Sequence, residues 1–295
     1  MPISRIRILS MTIRSALTLF MFFPFSVILL KAQSLEQPTP LTGAQTQARD
    51  ALNEGVEAFK NAQFQGAEQH FIRARELDPT LLNARLYLAT AYASQYIPGA
   101  PSEENVRMGK LATDEYREVL QVDTQNLSAI DGLASILYQR AGQPFSMELF
   151  QESKSYYKKH IEISQQDPVP YYFVGVIDWA LAYRGNTELR REFNQTVGGE
   201  GLKDDEPLPE VLRAEYVQQY ESTVDEGMEA LKQAIRLKPD YDDAMTYLNL
   251  LYRRKADMAD TPTERERYTE MADDLLDHVK ELKQKKAGMP EQVNP

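Results

Sequence analysis

The chain reads as helices from near residue 44 to near residue 285. Between Gly55 and Pro79 the apolar and small positions fall at Gly55, Val56, Phe59, Phe64, Ala67, Phe71, Ala74 and Leu77. Steps of three and four place such residues on one face of a helix. The run breaks near Asn61–Gln65, which predicts a turn between two helices. Pro79 follows Asp78, and a proline cannot continue a helix. The segment therefore predicts a helix, a short turn, a second helix and a stop.

That segment recurs. A small residue followed four later by a bulky one appears as Ala67/Phe71, Ala112/Tyr116, Ser153/Tyr157, Gly227/Leu231 and Ala272/Leu276. Each pair is continued on the same face, by Ala74, Val119, His160, Ala234 and Val279, and then by Leu77, Val122, Ile163, Leu237 and Leu282. The preceding helices carry a small residue at Gly55, Ala89, Ala134 and Gly175, with Asn249 as the departure. Prolines close the unit at Pro79 and Pro239, while Thr124 and Gln165 hold the other two slots. This pattern resembles the tetratricopeptide repeat, a 34-residue helix–turn–helix with small residues in both helices. The resemblance spans about residues 44–285 and implies an all-α, right-handed α-solenoid of about five helix pairs. An unrelated all-α bundle is the competing reading of the same periodicity.

The units are unequal. Against the 34-residue repeat, the second and fifth need about 11 additional residues between their helices, the third about seven and the fourth about 40. The longest insertion covers about 184–219. Gly185, Gly198, Gly199 and Gly201 with Asp204 and Asp205 read as a loop over 184–207, after which Glu210–Leu237 has one long helical period. Val197–Lys203 is glycine-rich, but it lacks the Gly-Lys-Ser/Thr ending and the preceding strand that a phosphate loop requires.

The first 43 residues have a different character. Arg5, Arg7 and Arg14 precede the apolar run Ala16–Leu30, and Ala32 is a small residue at a plausible cleavage point. The run is shorter than the roughly 20 residues that span a bilayer, and Pro24 interrupts it. Residues 1–32 are expected to be a signal peptide or N-terminal anchor, 33–43 a flexible linker and 286–295 a tail. The expected location is exported, periplasmic or secreted, with membrane attachment only through an uncleaved N-terminal segment.

Charge and composition narrow the chemistry. The chain has 33 basic and 44 acidic residues, net −11, and without the four cations of residues 1–32 the balance is 29 to 44. Such a domain repels phosphate backbones, so nucleic acid is not expected as a partner. With no cysteine there is no disulfide, thiolate zinc site or catalytic thiol. His70, His160 and His278 fall on three separate repeats, and His160 sits at a packing position, so no metal is expected. The acidic pairs Asp204/Asp205, Asp242/Asp243 and Asp273/Asp274 suit turns and helix N-termini. No nucleophile–base motif is present, and neither an enzyme nor a cofactor is expected.

The resemblance implies that first helices line a binding groove. The positions it assigns there include Phe59 and Lys60, Tyr138 and Gln139, Tyr172 and Trp179, and Arg253 and Arg254. Leu52 and Val56 stand where the family's clamp for a C-terminal carboxylate would need a cation and an amide. The expected function is an adaptor or scaffold that binds a protein or peptide segment in the groove. Two alternatives are an assembly subunit using the convex face or the insertion, and a small-ligand site beneath the insertion. The aromatic stretch Tyr171–Trp179 fits either an open groove or a helix buried by the insertion.

Overall fold

The structure is a computed structural model that describes residues 41–197, 201–204 and 206–287. The expected signal peptide, most of the linker and the end of the tail lie outside the described residues. Ten helices follow in order: α1 (Gly43–Lys60), α2 (Phe64–Leu77), α3 (Leu82–Gln95), α4 (Glu103–Val122), α5 (Leu127–Ala141), α6 (Met147–Ile163), α7 (Pro168–Thr196), α8 (Glu210–Leu237), α9 (Asp242–Met258) and α10 (Pro262–Ala287). No strand occurs among the described residues.

Local chemistry sets many of the starts. Thr42 caps α1 through a reciprocal pair, its Oγ1 accepting from the Gln45 amide and Gln45 Oε1 accepting from the Thr42 amide. Ser102, Asn126, Ser146 and Asp167 cap α4, α5, α6 and α7, each accepting from an amide of the first turn. Pro168 opens α7, where its missing N–H costs nothing. Helices α2 and α8 stop two residues before Pro79 and Pro239.

The helices pair as α1/α2, α3/α4, α5/α6, α7/α8 and α9/α10, and each pair stacks on the next. First helices also meet across pairs, α1 with α3, α3 with α5 and α7 with α9. The small positions allow the close approach. A Cβ on Gly55 would lie 2.5 Å from the Phe71 ring, and one on Gly175 would lie 2.3 Å from Leu231 Cγ. These are the same contact in pairs one and four. At the departing position, Asn249 is buried and donates through Nδ2 to the Ala272 carbonyl of α10. Ser153 likewise donates to the Ala134 carbonyl at 2.7 Å.

The core is divided. One cluster gathers Phe71, Leu88, Tyr116, Ile130, Leu133 and Leu137 from α2–α5. Another gathers Tyr157, Phe173, Ile177, Tyr216, Leu231 and Leu251 from α6–α9, with Ala134 and Ala141 from α5. Half-buried Leu149 and Tyr156 of α6 touch both.

The long insertion differs from the expected loop over 184–207. Helix α7 continues to Thr196, α8 begins at Glu210, and the link is short. The reason is packing: a Cβ on Gly185 would lie 2.2 Å from Tyr220 Cζ, so this glycine admits a ring and does not break the helix. Tyr216 donates its hydroxyl to the Ala182 carbonyl at 3.0 Å, locking the two extensions together. Arg190, 3% exposed, then holds the link, donating to the carbonyls of Lys203 at 2.6 Å and Glu206 at 2.9 Å and to Asn186 Oδ1 at 2.8 Å. In the fifth pair the additional residues likewise lengthen α9 and α10, leaving only 259–261 between them.

Candidate interaction groove

The first helices of pairs three to five bring a continuous set of aromatic rings together. Tyr138 of α5 meets Phe173 of α7 edge-on at 5.6 Å, and Phe173 stacks on Tyr157 of α6 at 4.7 Å. Tyr172 of α7 contacts Tyr241, which precedes α9, at 5.1 Å and Tyr247 of α9 at 5.7 Å. Trp179 meets Tyr247 edge-on at 5.3 Å and stacks on Tyr183, one turn along, at 5.4 Å. The Arg254 guanidinium lies 5.8 Å over the Tyr183 ring. Tyr172 is buried, whereas Tyr138, Trp179, Tyr183, Tyr241 and Tyr247 are half-buried. Burial raises the hydroxyls of Tyr138, Tyr172 and Tyr241 well above the ordinary tyrosine value.

The structure thus separates the residues that the repeat pattern assigns to the groove. Tyr138, Tyr172 and Trp179 fall in one cluster, with Arg254 at its edge. Arg254 is also tied to Asp257 at 3.1 Å. Phe59 and Lys60 are at the far end of the array on α1, where Phe59 meets Phe64 and exposed Lys60 pairs weakly with Glu57 at 3.8 Å. Gln139 bonds within its own helix, to Ser135 Oγ at 3.2 Å. Arg253 turns toward α10 and pairs with Asp273 at 2.7 Å. Sequence reasoning missed Tyr183, Tyr241, Tyr247 and Asp243. Their signal was present as helical spacing, since Asp243, Tyr247 and Arg254 follow one face of α9 and Trp179 and Tyr183 one face of α7. The ring partners of Trp179 come from α7 and α9, while residues 172–178 are buried in the core, in a cluster that also takes Leu208 of the insertion.

Two charged clusters brace the helices beneath this face. His160 of α6 places Nδ1 at 2.6 Å from Asp131 of α5 and Nε2 at 3.4 Å from Asp167, the cap of α7. With a carboxylate at each nitrogen the ring is held as the cation, and the hydrogen bonds from Asp131 and Asp167 push it up to about 9. Asp178 of α7 is fully buried and accepts from Lys154 Nζ at 2.6 Å. Burial pushes its carboxyl up to about 7, against the pull of Lys154. Its other oxygen has no partner, and Lys154 and Lys158 are shared with Glu226 of α8. Among the described residues no group of three or more His, Asp or Glu side chains is placed to hold a metal.

No family model and no curated protein sequence matches the chain. Solved structures do. The crystal structure of MamA is 14% identical, covering 84% of this chain and 98% of that one with a TM-score of 0.55. A structure of MamA from residue 41 to its end, from Desulfovibrio magneticus RS-1, is 12% identical, covering 81% and 96% with a TM-score of 0.53. At such identity the likeness concerns the fold, and it agrees with the ten-helix architecture: the chain is an all-α solenoid of the tetratricopeptide type.

Proposed function

We propose that this chain is a non-enzymatic protein-interaction module, an adaptor or scaffold. It docks a segment of a partner protein along the first-helix face of pairs three to five. The supporting observation is the half-buried aromatic cluster Tyr138, Trp179, Tyr183 and Tyr247, drawn from three successive first helices and left partly open to water. Aromatic side chains of this kind, with arginine beside them, carry much of the free energy at protein interfaces. The basic and apolar start of residues 1–32 supports export to the cell envelope.

Site-specific photo-crosslinking in the expressing cell tests the reading. A photoreactive amino acid at Tyr183 is expected to capture a partner, and one at Val122, 70% exposed on the second helix α4, is not. Crosslinks from Val122 or from Val211, 79% exposed on α8, with none from Tyr183, would instead favour an assembly subunit that uses the outer face. N-terminal sequencing of the fractionated protein addresses export: a chain beginning near Gln33 outside the cytoplasm is expected, and an intact cytoplasmic N-terminus would refute it.

A further inference from the structure

The aromatic face ends on a carboxylate that has no bonded partner. Asp243 lies in the first turn of α9, on the same side of the helix as Tyr247. It is half-buried, and its carboxylate makes no hydrogen bond and no ion pair with another described residue. Its neighbour Asp242, in contrast, receives Lys286 Nζ at 2.9 Å. Tyr172, Tyr241 and Tyr247 are near enough for the Asp243 charge to raise their hydroxyls.

Four charged groups face Asp243: Asp242 on α9, Lys238 after α8, and Lys283 and Lys286 on α10. Burial, with Asp242 second, pushes the Asp243 carboxyl up, and the three lysines offset part of this. None of the lysines reaches it. Lys286 is engaged by Asp242, and Lys238 lies 4.7 Å over the outer Tyr241 ring. The N-terminus of α9 and the three lysines offset part of the cost of half-burying a carboxylate without a bonded partner, and a cation brought from outside relieves the rest. Aromatic faces attract the same ligand, a lysine ammonium or arginine guanidinium.

We propose that Asp243, with Tyr241 and Tyr247 as walls and Tyr172 behind them, seats a lysine or arginine side chain of the segment docked on this face. The inference rests on the groove reading above and specifies its partner. The segment carries a basic residue at the α9 end, and its apolar residues lie against Trp179 and Tyr183. The choice of a basic occupant follows from charge complementarity with the unpaired carboxylate, in a chain of net charge −11. The recognised group is the opposite in sign to a C-terminal carboxylate.

Arrays of short synthetic peptides test this with the full chain. Four compositions are compared: basic plus apolar, neutral plus apolar, acidic plus apolar, and basic alone. The wild type is expected to prefer the basic–apolar set. Asp243→Asn should weaken that set by about tenfold or more and leave the neutral–apolar set unchanged. Asp260→Asn, at a carboxylate 84% exposed, should change neither. Added salt should weaken the basic–apolar set selectively in the wild type, a reading that needs no variant. Equal binding of basic and neutral peptides, or basic binding indifferent to Asp243→Asn in a variant that melts like wild type, overturns the pocket. If Trp179→Ala still abolishes binding in that case, the groove reading stands alone. If no composition depends on Trp179, both readings fall.

Discussion

The His160 bridge makes a prediction with a definite pH window. The ring joins α5, α6 and the start of α7, and its pKa rises from 6.5 to about 9. A rise of that size corresponds to about 3 kcal/mol of folding free energy. Asp131 and Asp167 are 47% and 36% exposed, so water screens both partners and roughly 1–2 kcal/mol is the expected net value. A histidine whose folded pKa is raised contributes fully below its unfolded value and loses that contribution as pH climbs through the folded value. The bridge should therefore stabilise the chain below pH 6.5 and fade between 6.5 and about 9. Urea unfolding followed by far-ultraviolet circular dichroism, for wild type and His160→Gln across this window, isolates the effect from all other titrating groups. The difference between the two should shrink as pH rises. A difference that stays constant across the window, or a nuclear magnetic resonance titration of His160 with its midpoint near 6.5, would refute the ion-pair geometry.

Other consequences concern packing and the insertion. Gly175→Ala places a methyl against Leu231 and should cost about 1–3 kcal/mol, seen as a lower melting temperature; a neutral effect would mean the helices are not this close. Arg190→Ala removes the donors that hold the Lys203 and Glu206 carbonyls and should cost about 2–4 kcal/mol. Limited proteolysis read by mass spectrometry should then show faster cleavage within 197–209, and an unchanged rate would count against the fastening. Tyr172→Ala, at a residue 6% exposed, should lower stability by about 3–5 kcal/mol. Tyr183→Ala, at the open edge, should cost about 1 kcal/mol, and comparable melting of the two variants would show that the face is not open where proposed.

The repeat was legible because its signal is a volume constraint at fixed spacing. Gly55, Ala89, Ala134 and Gly175 recur where two helix backbones approach, and the structure places Phe71 and Leu231 against the first and last of them. The course of α7 was not legible, because Gly185 has two meanings in a sequence. It reads as a helix breaker, but across from Tyr220 it is another small packing residue. The link to Arg190 was hidden for a different reason, since a buried arginine serving backbone carbonyls leaves no periodic trace. Of the aromatic cluster, repeat phase picked out Tyr138, Tyr172 and Trp179. It did not pick out Tyr247, and it passed over Asp243 because an acid at a helix start has an ordinary explanation. Arg253 and Arg254 are adjacent in sequence, yet one serves α10 and the other the aromatic face, a divergence that only the helix phase in the folded array decides.

The two larger core clusters meet at α5 and α6, where half-buried Leu149 and Tyr156 pack against both. Cooperativity in a stacked array passes only between neighbours, so a boundary between clusters is where it weakens. The chain should open by halves, with amides of α7–α9 exchanging with solvent as one unit and those of α2–α4 as another. The aromatic face is built almost wholly on the later half. Its competence to hold a partner would then be set by the local opening equilibrium of α7–α9, and damage confined to the first two pairs would leave it intact.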